Sequence, residues 1–123
     1  MSPLALITGA SSGIGREIAR HLASKGYDVV LVARRESLLR SLAEELVTNH
    51  GRKADVIVAD LAEKEQIEMV KQMVGDVDVL VNNAGFGKWG LLTDQEEGAV
   101  EAMVDVNVRA LTTLSRHFAG KML

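Results

Sequence analysis

The fold is decided by residues 4–15, which read LALITGASSGIG. The continuous apolar run at residues 4–7 is typical of a strand buried on both faces of a parallel sheet. A glycine-rich turn follows this run and leads into a helical pattern, which is the context that a phosphate-binding turn requires. The stretch therefore predicts a strand, a tight turn and a helix whose N-terminal N–H groups face an anion.

Each glycine of this turn has its own physical reason. Gly9 permits the tight turn, Gly13 lets the backbone approach a pyrophosphate, and Gly15 allows the helix to pack close to the sheet. The alternative is a glycine-rich turn that binds no ligand. A Walker-type loop is excluded, because the turn contains no Gly-Lys-Ser or Gly-Lys-Thr.

Short apolar runs and longer amphipathic stretches alternate along the rest of the chain. Further strand-like runs lie at residues 29–33, 56–59 and 77–81. Apolar residues at helical spacing follow the four runs: Ile14, Ile18 and Leu22; Leu38, Leu42 and Leu46; Ile67, Val70 and Val74; and Val100, Val104, Val108, Leu111, Leu114 and Phe118. The last helix is predicted to start at Thr93, with Glu96 at the spacing of a capping box.

This alternation of strand and helix predicts an α/β fold of the Rossmann type, a doubly wound parallel sheet with helices on both faces. The expected strand order is 3-2-1-4, which places a ligand crevice at the carboxyl ends of strands 1 and 4. The loops after Ile7 and Val81 should then face each other.

The composition fits one soluble domain over residues 1–123, with 47% hydrophobic and 25% charged residues. The net charge of −3 gives no basic field that would attract nucleic acid or an anionic membrane. No secretory signal is recognisable and no stretch approaches the ~20 apolar residues of a membrane helix. The three histidines lack ligand spacing, so no metal site is expected. The absence of cysteine suits a reducing compartment, and we predict a cytoplasmic protein.

Four motifs in chain order resemble those of the short-chain dehydrogenase/reductase family. Residues 8–15 are similar to its glycine motif, and Asp60-Leu61, Asn82-Asn83-Ala84-Gly85 and Asn107 match later motifs. The resemblance implies cofactor contacts from Gly9, Ser11, Ser12, Gly13, Ile14, Gly15, Asp60, Leu61, Asn82, Asn83, Ala84 and Gly85. It also implies that Asn107 belongs to the catalytic tetrad, where the backbone carbonyl of this asparagine binds a water on the proton path.

Three of these matches have a structural alternative. Asp60 could accept a hydrogen bond from an adenine amino group or cap the helix that follows it. The asparagines of the residues 82–85 motif could simply stabilise a turn. Asn107 could be a buried amide that holds the last helix to strand 4.

Two arginines at the end of strand 2 favour NADP(H) over NAD(H). An acidic residue there would bind the ribose hydroxyls, whereas Arg34 and Arg35 offer bidentate hydrogen bonds to a 2′-phosphate. Ser11 could add a hydroxyl from the glycine turn. The alternative is a pair of solvated charges, and Glu36 is near enough to compete for an arginine.

The resemblance implies hydride transfer between NADPH and a small-molecule carbonyl or alcohol. Its chemistry also needs a serine and a Tyr-x-x-x-Lys pair, but the only tyrosine is Tyr27, with Leu31 at the lysine position. We therefore expect the cofactor-binding N-terminal portion of such an enzyme, truncated after strand 4 and its helix. Whether the chain is itself an enzyme stays open, and a non-catalytic NADP-binding module or an inactive fragment is the alternative. The apolar last helix and the edge of strand 4 predict a cover, either a second copy in a homo-oligomer or a missing C-terminal segment.

Overall fold

The computed structural model describes residues 2–11, 13–84 and 98–122. The elements, in chain order, are β1 Leu4–Thr8, α1 Gly13–Ser24, β2 Asp28–Ala33, α2 Glu36–His50, β3 Ala54–Val58, α3 Lys64–Met73, β4 Val79–Asn82, α4 Ala99–Val104, a π-helical segment Asp105–Ala110 and α5 Leu111–Met122. Strand β4 begins at Val79, later than expected; Val77 is buried but lies in the connection before the strand. The predicted helix start at Thr93 lies outside the described residues.

The four strands form one parallel sheet in the order β3-β2-β1-β4, as predicted. Thr8 at the end of β1 pairs with Val32 of β2 on one side and with Asn82 of β4 on the other. The carboxyl ends of these strands therefore share one edge of the sheet, and β4 stands at the end of the strand order. The prediction that the loops after Ile7 and Val81 face each other is confirmed, because Asn83 N–H bonds to the Thr8 side chain.

Helices cover both faces of the sheet, so the doubly wound prediction is confirmed. One face packs Leu6, Val30 and Val32 against α3 and α5, where Leu114 and Phe118 are fully buried. The opposite face packs Ala5, Ile7, Val29 and Leu31 against Ala19 and Ala23 of α1 and Leu39, Leu42 and Leu46 of α2. Each strand residue thus serves one face or the other, which explains why the strands read as continuous apolar runs.

Helix α1 turns a different side to the sheet than its apolar spacing suggests. Its buried residues are Gly15, Ala19 and Ala23, whereas Ile14 is 72% exposed. Small residues let the helix axis approach the sheet closely, which larger side chains at those positions would prevent. The apolar series that starts at Ile14 therefore marks the helix, but of its three residues only Leu22 packs against the core on this face.

The predicted last helix runs through α4, the π-helical segment and α5, and it exposes only part of the apolar surface that the sequence indicates, because Phe118 is fully buried. Val104 and Val108 are more than half exposed and Leu111 is also exposed, while the other side of α5 is in the core. Asn107 lies in the π-helical segment and is exposed, so the alternative of a buried asparagine is wrong. Among the helices of the described ranges, none is both long and apolar enough to span a membrane.

Candidate functional site

A crevice of about 430 Å³ opens at the carboxyl edge of the sheet. Five separate parts of the described chain line it: four lie at or just after the carboxyl end of a strand, and the fifth belongs to the last helix. The lining residues are Gly9, Ser11 and Ile14; Val32, Ala33, Arg34 and Arg35; Ala59, Asp60, Leu61 and Ala62; Asn83 and Ala84; and Ala102 and Val106. The crevice lies where the strand order reverses between β1 and β4, which is where open α/β sheets bind ligands.

The glycine turn forms the floor of this crevice. Gly9 has a φ of 66°, and a Cβ added to it would lie 2.9 Å from the backbone of Ala84. A Cβ on Gly15 would lie 2.2 Å from the carbonyl oxygen of Gly9 and 2.5 Å from Nδ2 of Asn83. Gly15 is therefore required by the turn itself, in addition to the close packing of α1 that the sequence predicts.

Gly13 differs from the other two glycines. Its φ of 59° favours glycine, yet a Cβ there would meet no described atom within 4 Å. Gly13 itself is not among the residues that line the crevice; the open space beside it lies at the start of α1, where helix N–H groups and the positive end of the helix dipole stand. This arrangement suits an anion.

Thr8 joins the turns that follow β1 and β4. Thr8 is 1% exposed. Its Oγ1 accepts hydrogen bonds from the N–H groups of Asn83 at 3.1 Å and of Ala84 at 3.0 Å. The same hydroxyl donates a hydrogen bond to the Val81 carbonyl at 3.3 Å. Asn83 Nδ2 also donates to the Gly9 carbonyl at 3.2 Å. These bonds of Thr8 were not predicted, although a hydroxyl that ends an apolar strand is a signal for such a bond.

Asp60 occupies the part of the crevice that follows β3. Its Oδ1 accepts a hydrogen bond from Ala62 N–H at 3.0 Å, which closes a local turn. Helix α3 starts later, with Glu63 at its N-cap, so the alternative that Asp60 caps this helix is wrong. The Asp60 N–H donates to Oε1 of Gln66 at 2.5 Å, and sequence reasoning did not foresee this contact.

Arg34 and Arg35 stand at the rim of the crevice, and both are exposed. Glu36 pairs with Arg40 at 3.2 Å rather than with either of them. Neither arginine forms an ion pair with any residue that the structure describes. Arg35 is also the N-cap residue of α2, where a cation is disfavoured unless an anion compensates it.

The crevice does not gather every residue predicted from the sequence. Ser12 and Gly85 lie outside the described residues. Asn82 points away from the crevice and donates its amide to Ser115 Oγ of α5 at 2.7 Å. Asn107 is not among the lining residues, whereas Ala102 and Val106 of the same helix are. These two residues were not foreseen, although their spacing along a helix places them on one side of it.

The fold and the crevice are those of the doubly wound α/β class. The sequence profile of the family described as short chain dehydrogenase matches residues 3–123. This chain belongs to the short chain dehydrogenase family.

Relatives with curated descriptions are similar along most of this chain. An oxidoreductase of Staphylococcus saprophyticus is 39% identical over 110 residues, which cover 86% of this chain and 47% of the relative. A 3-oxoacyl-[acyl-carrier-protein] reductase of Staphylococcus epidermidis is 37% identical over 128 residues, covering 100% of this chain and 52% of the relative. The chain therefore spans about half the length of these relatives.

Solved structures superpose closely on nearly all of this chain, which covers about half of each of them. A short-chain dehydrogenase from Sphingobium yanoikuyae in complex with NADPH has a TM-score of 0.92 at 35% identity, covering 97% of this chain and 48% of that one. L-Sorbose reductase from Gluconobacter frateurii, complexed with NADPH and L-sorbose, has a TM-score of 0.90 at 33% identity, covering 98% and 48%. The described fold is thus shared with about half of each of these two proteins.

Proposed function

We propose that this chain binds NADP(H) and forms the cofactor-binding portion of a short-chain dehydrogenase/reductase that reduces a carbonyl or oxidises an alcohol. The observation that carries the proposal is the pair of exposed arginines, Arg34 and Arg35, which lack a carboxylate partner in the described chain and share one crevice with the glycine turn. The solved NADPH complexes of relatives support the same cofactor.

The crevice residues suggest how the cofactor would be held. The N-terminus of α1 and the open backbone at Gly13 suit the pyrophosphate, with the Ser11 hydroxyl beside them. Arg34 and Arg35 suit the 2′-phosphate, and Asp60 with Leu61 suits the adenine. The nicotinamide, when bound, supplies the hydride, and this chain's residues bind and orient it.

Proton transfer needs a group that the described crevice does not supply. Tyr27 is the single tyrosine of the sequence, and it packs against the α1 and α2 face before β2 begins. It therefore lies at the sheet edge opposite the crevice. We assign the proton donor to the part of the longer relatives that this chain does not span, and Asn107 to the role that the family resemblance implies.

The exposed apolar side of the last helix supports a further proposal about assembly. Val104, Val108 and Leu111 form this surface, and β4 stands at the end of the sheet. We propose that a second copy of the chain covers the helix surface or the β4 edge. A cytoplasmic location, and the lack of nucleic-acid or membrane partners, stay predictions.

Replacing Arg34 with aspartate tests the cofactor proposal. The Arg34→Asp chain should bind NADPH about ten- to a hundredfold more weakly, because a charge-assisted hydrogen bond is lost and a repulsive charge is added. NADH affinity should change little, since NADH has no 2′-phosphate. Titration of the intrinsic fluorescence of NADPH and NADH measures both affinities.

Lys53→Asp makes the same charge change at an exposed position next to β3 and away from the crevice, and it is the matched control. Its NADPH affinity should stay near that of the unmodified chain. Equal affinities of the Arg34→Asp chain and the unmodified chain for NADPH would overturn the 2′-phosphate assignment. An unmodified chain that shows no saturable binding would overturn the proposed function as a whole.

A further inference from the structure

The loop after β3 is held by a side chain from α3 that does not itself line the crevice. Three main-chain N–H groups donate hydrogen bonds in the loop: Ala59 N–H to the Ala33 carbonyl at 3.0 Å, Glu63 N–H to the Asp60 carbonyl at 3.1 Å, and Ala62 N–H to the side-chain Oδ1 of Asp60 at 3.0 Å. The N–H of Asp60 donates a fourth hydrogen bond, to Oε1 of Gln66. Gln66 therefore supplies the bond that ties Asp60 to a helix.

Helix α3 is a firm support for this bond. Gln66 lies in its first turn and is partly buried, and the neighbouring Ile67 is 2% exposed in the core under the sheet. Val70, one turn further on, is also fully buried there. Core packing of Ile67 and Val70 thus fixes the backbone of α3 that carries Gln66, and the Gln66 amide oxygen accepts in turn the hydrogen bond from the Asp60 N–H.

The two oxygens of the Asp60 carboxylate have different surroundings. Oδ1 is engaged by Ala62 N–H, and Asp60 is among the residues that line the crevice. Within the described chain, Oδ2 has no such engagement and is the oxygen available to a ligand. A carboxylate oxygen held in one place is an acceptor for an amino group that lies in the crevice.

We propose that Gln66 is a positioning residue for adenine recognition, because it holds the Asp60 backbone so that the carboxylate meets the exocyclic amino group of the base. This inference rests on the proposed binding of NADP(H). Without the amide oxygen, the Asp60 N–H has no partner on α3, and the carboxylate loses its fixed position relative to the crevice.

Comparing the affinities for two ligands distinguishes this positioning role from simple support of the loop. One is NADPH, and the other is its deamino analogue, in which hypoxanthine replaces adenine and a carbonyl oxygen faces the carboxylate. The unmodified chain should prefer NADPH. In Gln66→Met, which keeps the side-chain length and removes the acceptor, that preference should fall about three- to tenfold, with most of the loss on the NADPH side.

Two further variants complete the experiment. Gln66→Glu keeps an acceptor oxygen and should keep the preference, so it serves as the rescue variant. Gln72→Met makes the same substitution at an exposed position of α3 that does not line the crevice, and it should bind both ligands as the unmodified chain does. Fluorescence titration gives the affinities, and circular dichroism shows that each variant is folded.

The outcomes have separate meanings. An unchanged preference in Gln66→Met, or an equal loss of affinity for both ligands, would overturn the positioning role while leaving NADP(H) binding intact. Loss of the preference in Gln66→Glu would also count against it, even if Gln66→Met does not fold. If the unmodified chain binds neither ligand, the proposed function fails and this inference fails with it.

Discussion

Helix α1 and the last helix of this chain pack on opposite faces of one sheet, and they do so in opposite ways. Helix α1 approaches through Gly15, Ala19 and Ala23, whereas α5 inserts Leu114 and Phe118. The first arrangement brings a helix N-terminus close to the turn after β1, and the second fills a thicker core. Small residues thus bring α1 close to the turn that helps to line the crevice, whereas large side chains of α5 fill the core on the opposite face.

The largest loss of stability should come from placing a methyl group between α1 and the glycine turn after β1. In Gly15→Ala the new Cβ would lie 2.2 Å from the backbone oxygen of Gly9, and backbone cannot yield as a flexible side chain can. We expect a loss of about 3 kcal/mol or more in the free energy of unfolding, together with loss of NADPH binding. Urea unfolding and NADPH titration measure the two.

The same substitution in α5 should have the opposite sign. A Cβ on Gly120 would meet no described atom within 4 Å, and alanine is the better helix former by up to about 1 kcal/mol. Gly120→Ala should therefore leave the stability equal or higher. If Gly15→Ala were tolerated as well as Gly120→Ala, the contrast between the two helices would be refuted.

A smaller effect is expected from the exposed apolar side of the last helix. Val108 is 57% exposed, and Val108→Ser removes an apolar side chain that a second copy would bury. We expect the dimer dissociation constant to rise about tenfold, because burying a valine contributes about 1.5 kcal/mol or more. Sedimentation equilibrium over a range of concentrations measures the change.

The exposed apolar residue of α1 provides the comparison for this experiment. Ile14 lines the crevice, so Ile14→Ser should weaken NADPH binding and leave self-association unchanged. A chain that stays monomeric at high concentration without any substitution would contradict the proposal that a second copy covers the last helix.

The sheet and its glycine turn could be predicted from the sequence, whereas the buried side of α1 could not. Continuous apolar runs such as that of β2 specify strands covered on both faces, and the connection rules then leave few strand orders. The spacing of Ile14, Ile18 and Leu22 specifies a helix but not its distance from the sheet. That distance depends on Gly15 and its contacts with Gly9, which only the folded chain brings together.

The site residues that directly follow a strand could be predicted from the sequence. The hydrogen bonds between side chains and backbone that support the site could not. Arg34, Arg35 and Asp60 reach one crevice because each follows the carboxyl end of a parallel strand. Gln66 and Thr8 were missed, because their hydrogen bonds depend on the register and on the exact path of a loop. Neither the strand register nor the path of a loop can be obtained from the spacing of residues alone.

The smallest effect concerns the link between α1 and α2. Arg20 donates to both carboxylate oxygens of Glu45, at 2.7 Å and 2.9 Å. This hydrogen bonding lowers the pKa of Glu45 below its usual value of 4.5, while partial desolvation acts in the opposite direction. A carboxyl group whose pKa is lower in the folded state stabilises the fold above its unfolded pKa, and this contribution is lost as the pH falls through the folded value.

Replacing Glu45 with glutamine should therefore lower the free energy of unfolding slightly near neutral pH and leave it unchanged well below pH 4.5. The effect is small because both side chains are about one-third exposed and water screens the pair. Glu44→Gln, at an exposed neighbouring position of α2, is the control and should show no such convergence with pH. Urea unfolding of the three chains across this pH range measures it. A difference between Glu45→Gln and the unmodified chain that persists in acid would show that packing, rather than the charge pair, joins the two helices on the close-packed face.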